Sequence, residues 1–212
     1  LSRLWLVVLS GASTAIMTLL LYQALARGPV SIVAPIVASH PVLVVLFWVA
    51  TGHRPEALQW AAMGATMLGA LLVARSAGGF VQSGGYTREH LRKTISIAGA
   101  SALAYAVLVV SGQAAVPIYG ELQTLWLGRW IGIGTVLLIF VAKRKTPGIP
   151  LRWWPLIGLQ SLLDATGYLA LFAGSQGEGS EIAAVAASGF GAITTILARI
   201  FLREAMGVVQ WV

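Results

Sequence analysis

From Leu4 to Ala26 the chain reads LWLVVLSGASTAIMTLLLYQALA, a run with no charged side chain that is bracketed by Arg3 and Arg27. The hydrocarbon core of a bilayer is about 30 Å thick and takes about 20 helical residues at 1.5 Å each. This run has that length and composition. A secretory leader is the other reading of a basic residue followed by apolar ones, but the apolar character continues too far for a leader's hydrophobic region.

Working outward, six more runs of this kind follow, at roughly 30–50, 58–74, 95–117, 122–142, 153–174 and 180–202. Another starts near 207. The chain begins at Leu1 and stops at Val212, inside that last run, so a piece of a longer protein is expected. Backbone polar groups cannot be left unpaired in lipid, and the period-two alternation of a barrel is missing, so the spans are expected to be helices. The fold class expected is all-α, a polytopic transmembrane helical bundle.

The composition agrees. Of 212 residues 58% are hydrophobic and 10% are charged, with a mean hydropathy of +0.83. A soluble domain carries about 25% charged residues. The eight Trp residues (Trp5, Trp48, Trp60, Trp126, Trp130, Trp153, Trp154 and Trp211) lie at or near span ends, as in an aromatic belt. There is no cysteine, which excludes disulfides, thiolate metal sites and cysteine nucleophiles. P-loop and metal-ligand motifs are absent, and neither a cofactor nor a metal is expected. The net charge of +7 is read as basic residues in loops beside spans. No basic stripe interleaved with aromatics suggests nucleic acid. The partners expected are the lipid bilayer, a small-molecule substrate and a second copy of the chain as a homodimer.

The two halves resemble each other. Gly28, Ser31, Ala34, Ala38 and Ser39 match Gly177, Ser180, Ala183, Ala187 and Ser188 in order, about 150 residues apart. Ala24 matches Ala173, and Gln59-Trp60 matches Gln210-Trp211 after a shift of two. Between the halves lies a polar, Gly-rich segment from Ser76 to Thr94, with Gly78, Gly79, Gly84, Gly85, Arg88, Glu89, Arg92 and Lys93. The divisions expected are therefore 1–75, a linker at 76–94, and 95–212. An odd number of spans per unit inverts successive units in the membrane, which is a transporter signature.

The run from Tyr22 through Ser31 and on to Ala38-Ser-His-Pro41 resembles the third and fourth spans of an EamA domain, of the drug/metabolite transporter superfamily. Thr51 to Trp60 and Gly69 to Arg75 resemble the fourth-to-fifth span junction and the fifth span. Arg129 resembles an Arg often found in a unit's second span, and Leu197 to Glu204 resembles the second unit's motif. His53 stands where the first unit's motif has Glu, and Gly191 where the second has Pro. The resemblance implies ten spans in two inverted five-span units, of which this chain would hold spans three to nine and the start of ten. It also implies a secondary transporter of a small polar metabolite, such as an amino acid, working by alternating access as an exporter or exchanger in the cytoplasmic membrane. It implies no enzymatic activity.

The orientation has two readings. Arg27, Arg75, Arg88, Arg92, Lys93, Lys143, Arg144, Lys145, Arg152 and Arg203 fall in the loops after spans one, three, five and seven, which the positive-inside rule places in the cytoplasm. The ten-span arrangement implied by the resemblance places the linker outside.

Ionisable groups inside a membrane are costly and point to function. His40, Arg129, Asp164 and Arg199 are singled out among the residues within spans. Asp164, the chain's one Asp, and His40 each stand near the middle of a span, where a proton could be bound and released. An ion pair between Asp164 and Arg129 on the adjacent span is the structural alternative, and a helix–helix hydrogen bond is that for His40. Arg129 could bind an anionic group of a substrate or snorkel to the interface. Arg199 is read as snorkelling and Glu204 as a cap or loop anchor. Tyr168, Gln23, Tyr105 and Gln113 are candidate cavity linings, with Tyr22 and Gln160 behind them. Pro35 and Pro41 are candidate helix breaks, since each removes a helical hydrogen bond. The small-residue rows Ala61/Ala65/Gly69, Ala98/Ala102/Ala106, Gly128/Gly132 and Ala183/Ala187/Gly191 suit close helix packing.

Two other functions fit the composition. Ser13 with His40 could serve a membrane-embedded hydrolase, which needs a nucleophile and an oriented base. A non-transporting membrane subunit is the other.

Overall fold

A computed structural model of the chain describes residues 3–52, 86–144, 148–176 and 189–201, together with 57, 60, 61, 64, 65, 68, 69, 183 and 187. The expected span 58–74, most of 180–189, the start near 207, residues 76–85, His53 and Glu204 lie wholly or largely outside the described residues.

Among the described residues the structure is helical, without a strand. Seven α-helices follow in order: α1 (Leu4–Leu25), α2 (Val30–Ala38), α3 (His40–Ala50), α4 (Arg88–Tyr119), α5 (Glu121–Ala142), α6 (Trp154–Gly174) and α7 (Phe190–Phe201). A single 3-10 turn, Leu151–Trp153, leads into α6, with Pro155 in the first helical turn, where its missing N–H is not needed. Among the described residues five segments are long and apolar enough to cross a membrane: Leu4–Leu25, Val30–Ala50, Arg88–Tyr119, Glu121–Ala142 and Leu151–Gly174.

Helix α4 departs from expectation. It starts at Arg88, so residues 88–94, placed in the linker by sequence, are its first turns. The Thr87 hydroxyl accepts the His90 amide at 3.2 Å and caps the helix, and Lys93 pairs with Glu89 at 2.8 Å one turn apart. At the other end Gly120, with φ of +80°, turns the chain sharply into α5.

The segment Val30–Ala50 is broken where α2 meets α3, at Ser39. Pro35 sits inside α2 without ending it, and Pro41 lies in the first turn of α3. Proline at 41 cannot donate to the Val37 carbonyl four residues back. The His40 ring takes that carbonyl instead, Nδ1 donating at 3.2 Å, and the Ser39 hydroxyl donates to Ile36 at 2.7 Å.

Packing divides the chain into two compact units. Unit one is Leu1–Ala15 with Val107–Ala183, and unit two is Ile16–Ala106 with Ala184–Val212. This grouping differs from the division by repeat, since α1 and α4 each contribute to both units.

In unit one the Gly128/Gly132 row meets Gly11 of α1. A Cβ at Gly11 would stand 2.6 Å from the Gly128 carbonyl oxygen and 2.8 Å from the Ile131 Cβ. Such contact of backbones replaces the hydrophobic drive that helices lack in lipid. Leu6, Val7 and Ala115 are buried beside it, with Leu127 and Ile131 packed on them. Helix α6 lies against α5.

In unit two α2 packs on α7, around Ala24, Ile32, Val33, Ile36, Val37, Leu91 and Ala98. Ala98, Ala102 and Ala106 are buried, as their spacing suggested, and Ser101 donates to the Met17 carbonyl at 3.0 Å. Ala61 and Ala65 instead stand exposed.

Candidate functional site

The candidate residues gather in two places, one per unit. In unit one the Arg129 guanidinium and the Asp164 carboxylate form an ion pair, Nη2 to Oδ2, at 2.5 Å. Both side chains are partly exposed, at 33% and 44%. Arg129 also lies over the Tyr168 ring, 5.2 Å from its centroid, in cation–π geometry.

The helical repeat explains the cluster. Asp164, Tyr168 and Phe172 recur every four residues on one face of α6, and Thr124 and Gly128 do so on α5 next to Arg129. A cavity of about 10 Å³ is lined by side chains including Ser10, Thr14, Thr124, Arg129, Tyr168 and Phe172. That is room for about one water. Ser10 donates to the Leu108 carbonyl at 3.4 Å, and Thr14 to the Ser10 carbonyl at 2.9 Å. The Thr124 hydroxyl is buried with no hydrogen-bond partner among the described residues. Ser10, Thr14, Thr124 and Phe172 were not singled out by sequence. The signal for Phe172 was present in its spacing from Asp164, whereas the hydroxyls carry no distinguishing pattern.

In unit two His40 is fully buried. Its ring stacks on Tyr105 with centroids 3.8 Å apart and planes 9° apart, and Phe190 lies 6.4 Å away on the same cluster. Nδ1 is held by Val37 within its own segment, so the bond is not the helix–helix bond weighed from sequence. Nε2 has no hydrogen-bond partner among the described residues.

Gln113 is buried on α4, while Gln23, Tyr22 and Gln160 are exposed. The Arg199 side chain lies outside the described residues.

A model of the EamA-like transporter family matches residues 1–75 and 92–212. No curated protein and no solved structure matches the chain. The family match takes in both halves, and its members are transporters rather than enzymes. With five membrane-length helices beside it, the match shows that the chain belongs to the EamA-like transporter family, as a multi-pass membrane transporter of the drug/metabolite transporter superfamily.

Proposed function

We propose that the transported compound is a small polar metabolite bearing both charges, an amino acid or a close relative. In this reading it moves outward across the cytoplasmic membrane by export or exchange. The two repeats alternate access as inverted units, and Asp164 couples the movement to a proton. The Arg129–Asp164 ion pair carries the reading.

Arg129 offers a planar fork of donors that suits a carboxylate, and Asp164 an acceptor that suits an ammonium group. A zwitterion entering between them exchanges one ion pair for two and brings no net charge into the bilayer. When it leaves, the two side chains neutralise each other again, which keeps the empty site tolerable in lipid. Tyr168 covers one face of the guanidinium and fixes its direction. The adjoining cavity holds about one water, so loading requires α5 and α6 to part. Protonation of Asp164 breaks the pair from the other side, and this is the proposed link between proton and substrate. His40 is assigned a different task, holding the break at Ser39 through Val37 and Tyr105.

The test is counterflow of a panel of labelled amino acids in proteoliposomes containing the full-length protein. At least one zwitterion is expected to exchange, while its amide and decarboxylated analogues do not. Asp164→Asn should flatten the pH profile of that exchange. A flat response to every zwitterion, or a pH profile that survives Asp164→Asn, would sink the reading.

A further inference from the structure

A second polar region lies in the first turns of α4, within unit two, and the transport reading makes no use of it. Arg27, Arg88, Glu89, Arg92, Lys93, Ser96 and Ile97 line a cleft of about 720 Å³ within unit two. Four of these residues are cations and one is an acid, and that acid is already paired with Lys93.

The arrangement is unfavourable by itself. Arg88, Arg92 and Lys93 stand in the first two turns of α4, at the positive end of the helix dipole, where acidic groups are preferred. Arg27 is then brought against them from the turn after α1. Its backbone is fixed there, since the His90 ring donates from Nε2 to the Arg27 carbonyl at 2.5 Å. A Cβ at Gly28 would lie 2.7 Å from the Thr94 side chain, so the turn sits close on α4. The Arg27 Nε is buried and has no hydrogen-bond partner among the described residues.

Charges that only set orientation need neither a cleft nor a fixed backbone. Lys143 and Arg144, at the end of α5, show that simpler case: they line neither this cleft nor the neighbouring one. Around Arg27 the cations converge on one open cleft, with one donor left over.

We propose that this cleft binds a phosphate-bearing anion, the headgroup of an anionic phospholipid. Guanidinium groups match phosphate oxygens in pairs, and a preset Arg27 loses little freedom on binding. The lipid source is favoured by the order of residues along α4. Arg88, Arg92 and Ser96 form one row and Glu89, Lys93 and Ile97 the next, so the cleft runs from charged side chains to the start of the apolar span. A headgroup would lie against the cations, and its acyl chain would continue past Ile97. Basic pockets at the membrane surface are of the kind that hold such headgroups.

The full chain in a neutral detergent provides the test, with binding followed by native mass spectrometry. The probes are short-chain phosphatidylglycerol, short-chain phosphatidylcholine and inorganic phosphate. Phosphatidylglycerol is expected to bind saturably and at least about tenfold tighter than phosphatidylcholine, and to weaken as salt rises. The pair of substitutions Arg27→Gln and Arg92→Gln should weaken it about tenfold or more, while Lys143→Gln with Arg144→Gln stays within about twofold. Should the first pair fail to fold, the exposed Arg88→Gln alone is expected to weaken binding, with Arg88→Lys restoring part of it. Inorganic phosphate binding as tightly, and displacing the lipid, would keep the anion site and overturn its lipid source. Equal binding of phosphatidylcholine, or no loss in the Arg27/Arg92 variant, would overturn the site.

Discussion

The two units solve the same problem in opposite ways. Each keeps a titratable side chain within a membrane-length segment. Unit one leaves Asp164 partly exposed and supplies a partner of opposite charge, Arg129. Unit two seals His40 among Tyr105, Phe190 and its own segment, with no charged partner in contact among the described residues. An ion pair can be opened by a ligand carrying the same two charges. A stacked ring with a capping bond cannot be opened that way, and it serves better as a brace. The comparison therefore assigns recognition to unit one and the fixing of a helix break to unit two, and it can be broken at several points.

The largest effect is expected at the pair itself. Arg129→Gln leaves Asp164 without its counterion, and transport should fall at least about 100-fold with a loss of about 2 kcal/mol in stability. That figure lies between the about 1 kcal/mol or less of an exposed pair and the about 3–5 kcal/mol of breaking a buried one, because both groups are partly exposed. Combining it with Asp164→Asn should return most of the stability but none of the transport. Thermal unfolding in detergent and proteoliposome uptake measure the two separately. If the double variant also regains transport, the pair is merely structural and the contrast between the units collapses.

Next comes the crossing that positions α5. In Gly11→Ala the new methyl meets backbone, the Gly128 carbonyl at 2.6 Å, and backbone cannot rotate aside. We expect a loss of about 2 kcal/mol, read as a lower unfolding temperature, and weaker transport through displacement of Arg129. Retained stability would mean that α1 and α5 slide easily, and that the site in unit one is not held by this contact.

The pair was legible in the sequence and its surroundings were not, for a physical reason. Ionisable residues are so rare in spans that Arg129 and Asp164 stood out, and their neighbouring spans could place them together. Tyr168 was named only as a cavity lining, and its four-residue spacing from Asp164 is what sets it on the same face of α6. Thr124, Ser10 and Thr14 look like any hydroxyls that bond back to their own helix, and nothing in the sequence says which spans meet, so Phe190 could not be joined to His40. The ends of the spans show the same limit. Leu4–Leu25 and Glu121–Ala142 start and stop within a residue of expectation because apolar composition marks the lipid boundary there. Arg88 was missed because α4 continues past that boundary on a threonine cap and a Glu89–Lys93 pair, which hydropathy does not see.

A smaller effect tests the brace in unit two. His40→Phe keeps a ring against Tyr105 and removes the bond to the Val37 carbonyl, which should cost about 1 kcal/mol. The pH profile of transport is expected to stay that of the unchanged protein, whereas Asp164→Asn alters it. A profile altered by His40→Phe would move proton chemistry into unit two and reverse the comparison.

The smallest effect belongs to the turn after α1. Gly28→Ala sets a methyl 2.7 Å from the Thr94 Cγ2, a side-chain atom, where Gly11→Ala met backbone. A side chain can give way, though this one is held by its own bond, Thr94 Oγ1 donating to the His90 carbonyl at 3.0 Å. We expect a loss of about 1 kcal/mol for Gly28→Ala alone. Thr94→Ser deletes the obstructing methyl and keeps the hydroxyl bond, so the double variant should recover most of that loss. No such rescue is open at Gly11, where the obstacle includes a carbonyl oxygen that no substitution removes. Chemical unfolding of the two series side by side measures the difference. Equal losses with no rescue by Thr94→Ser would show that the turn, like the crossing in unit one, is limited by backbone.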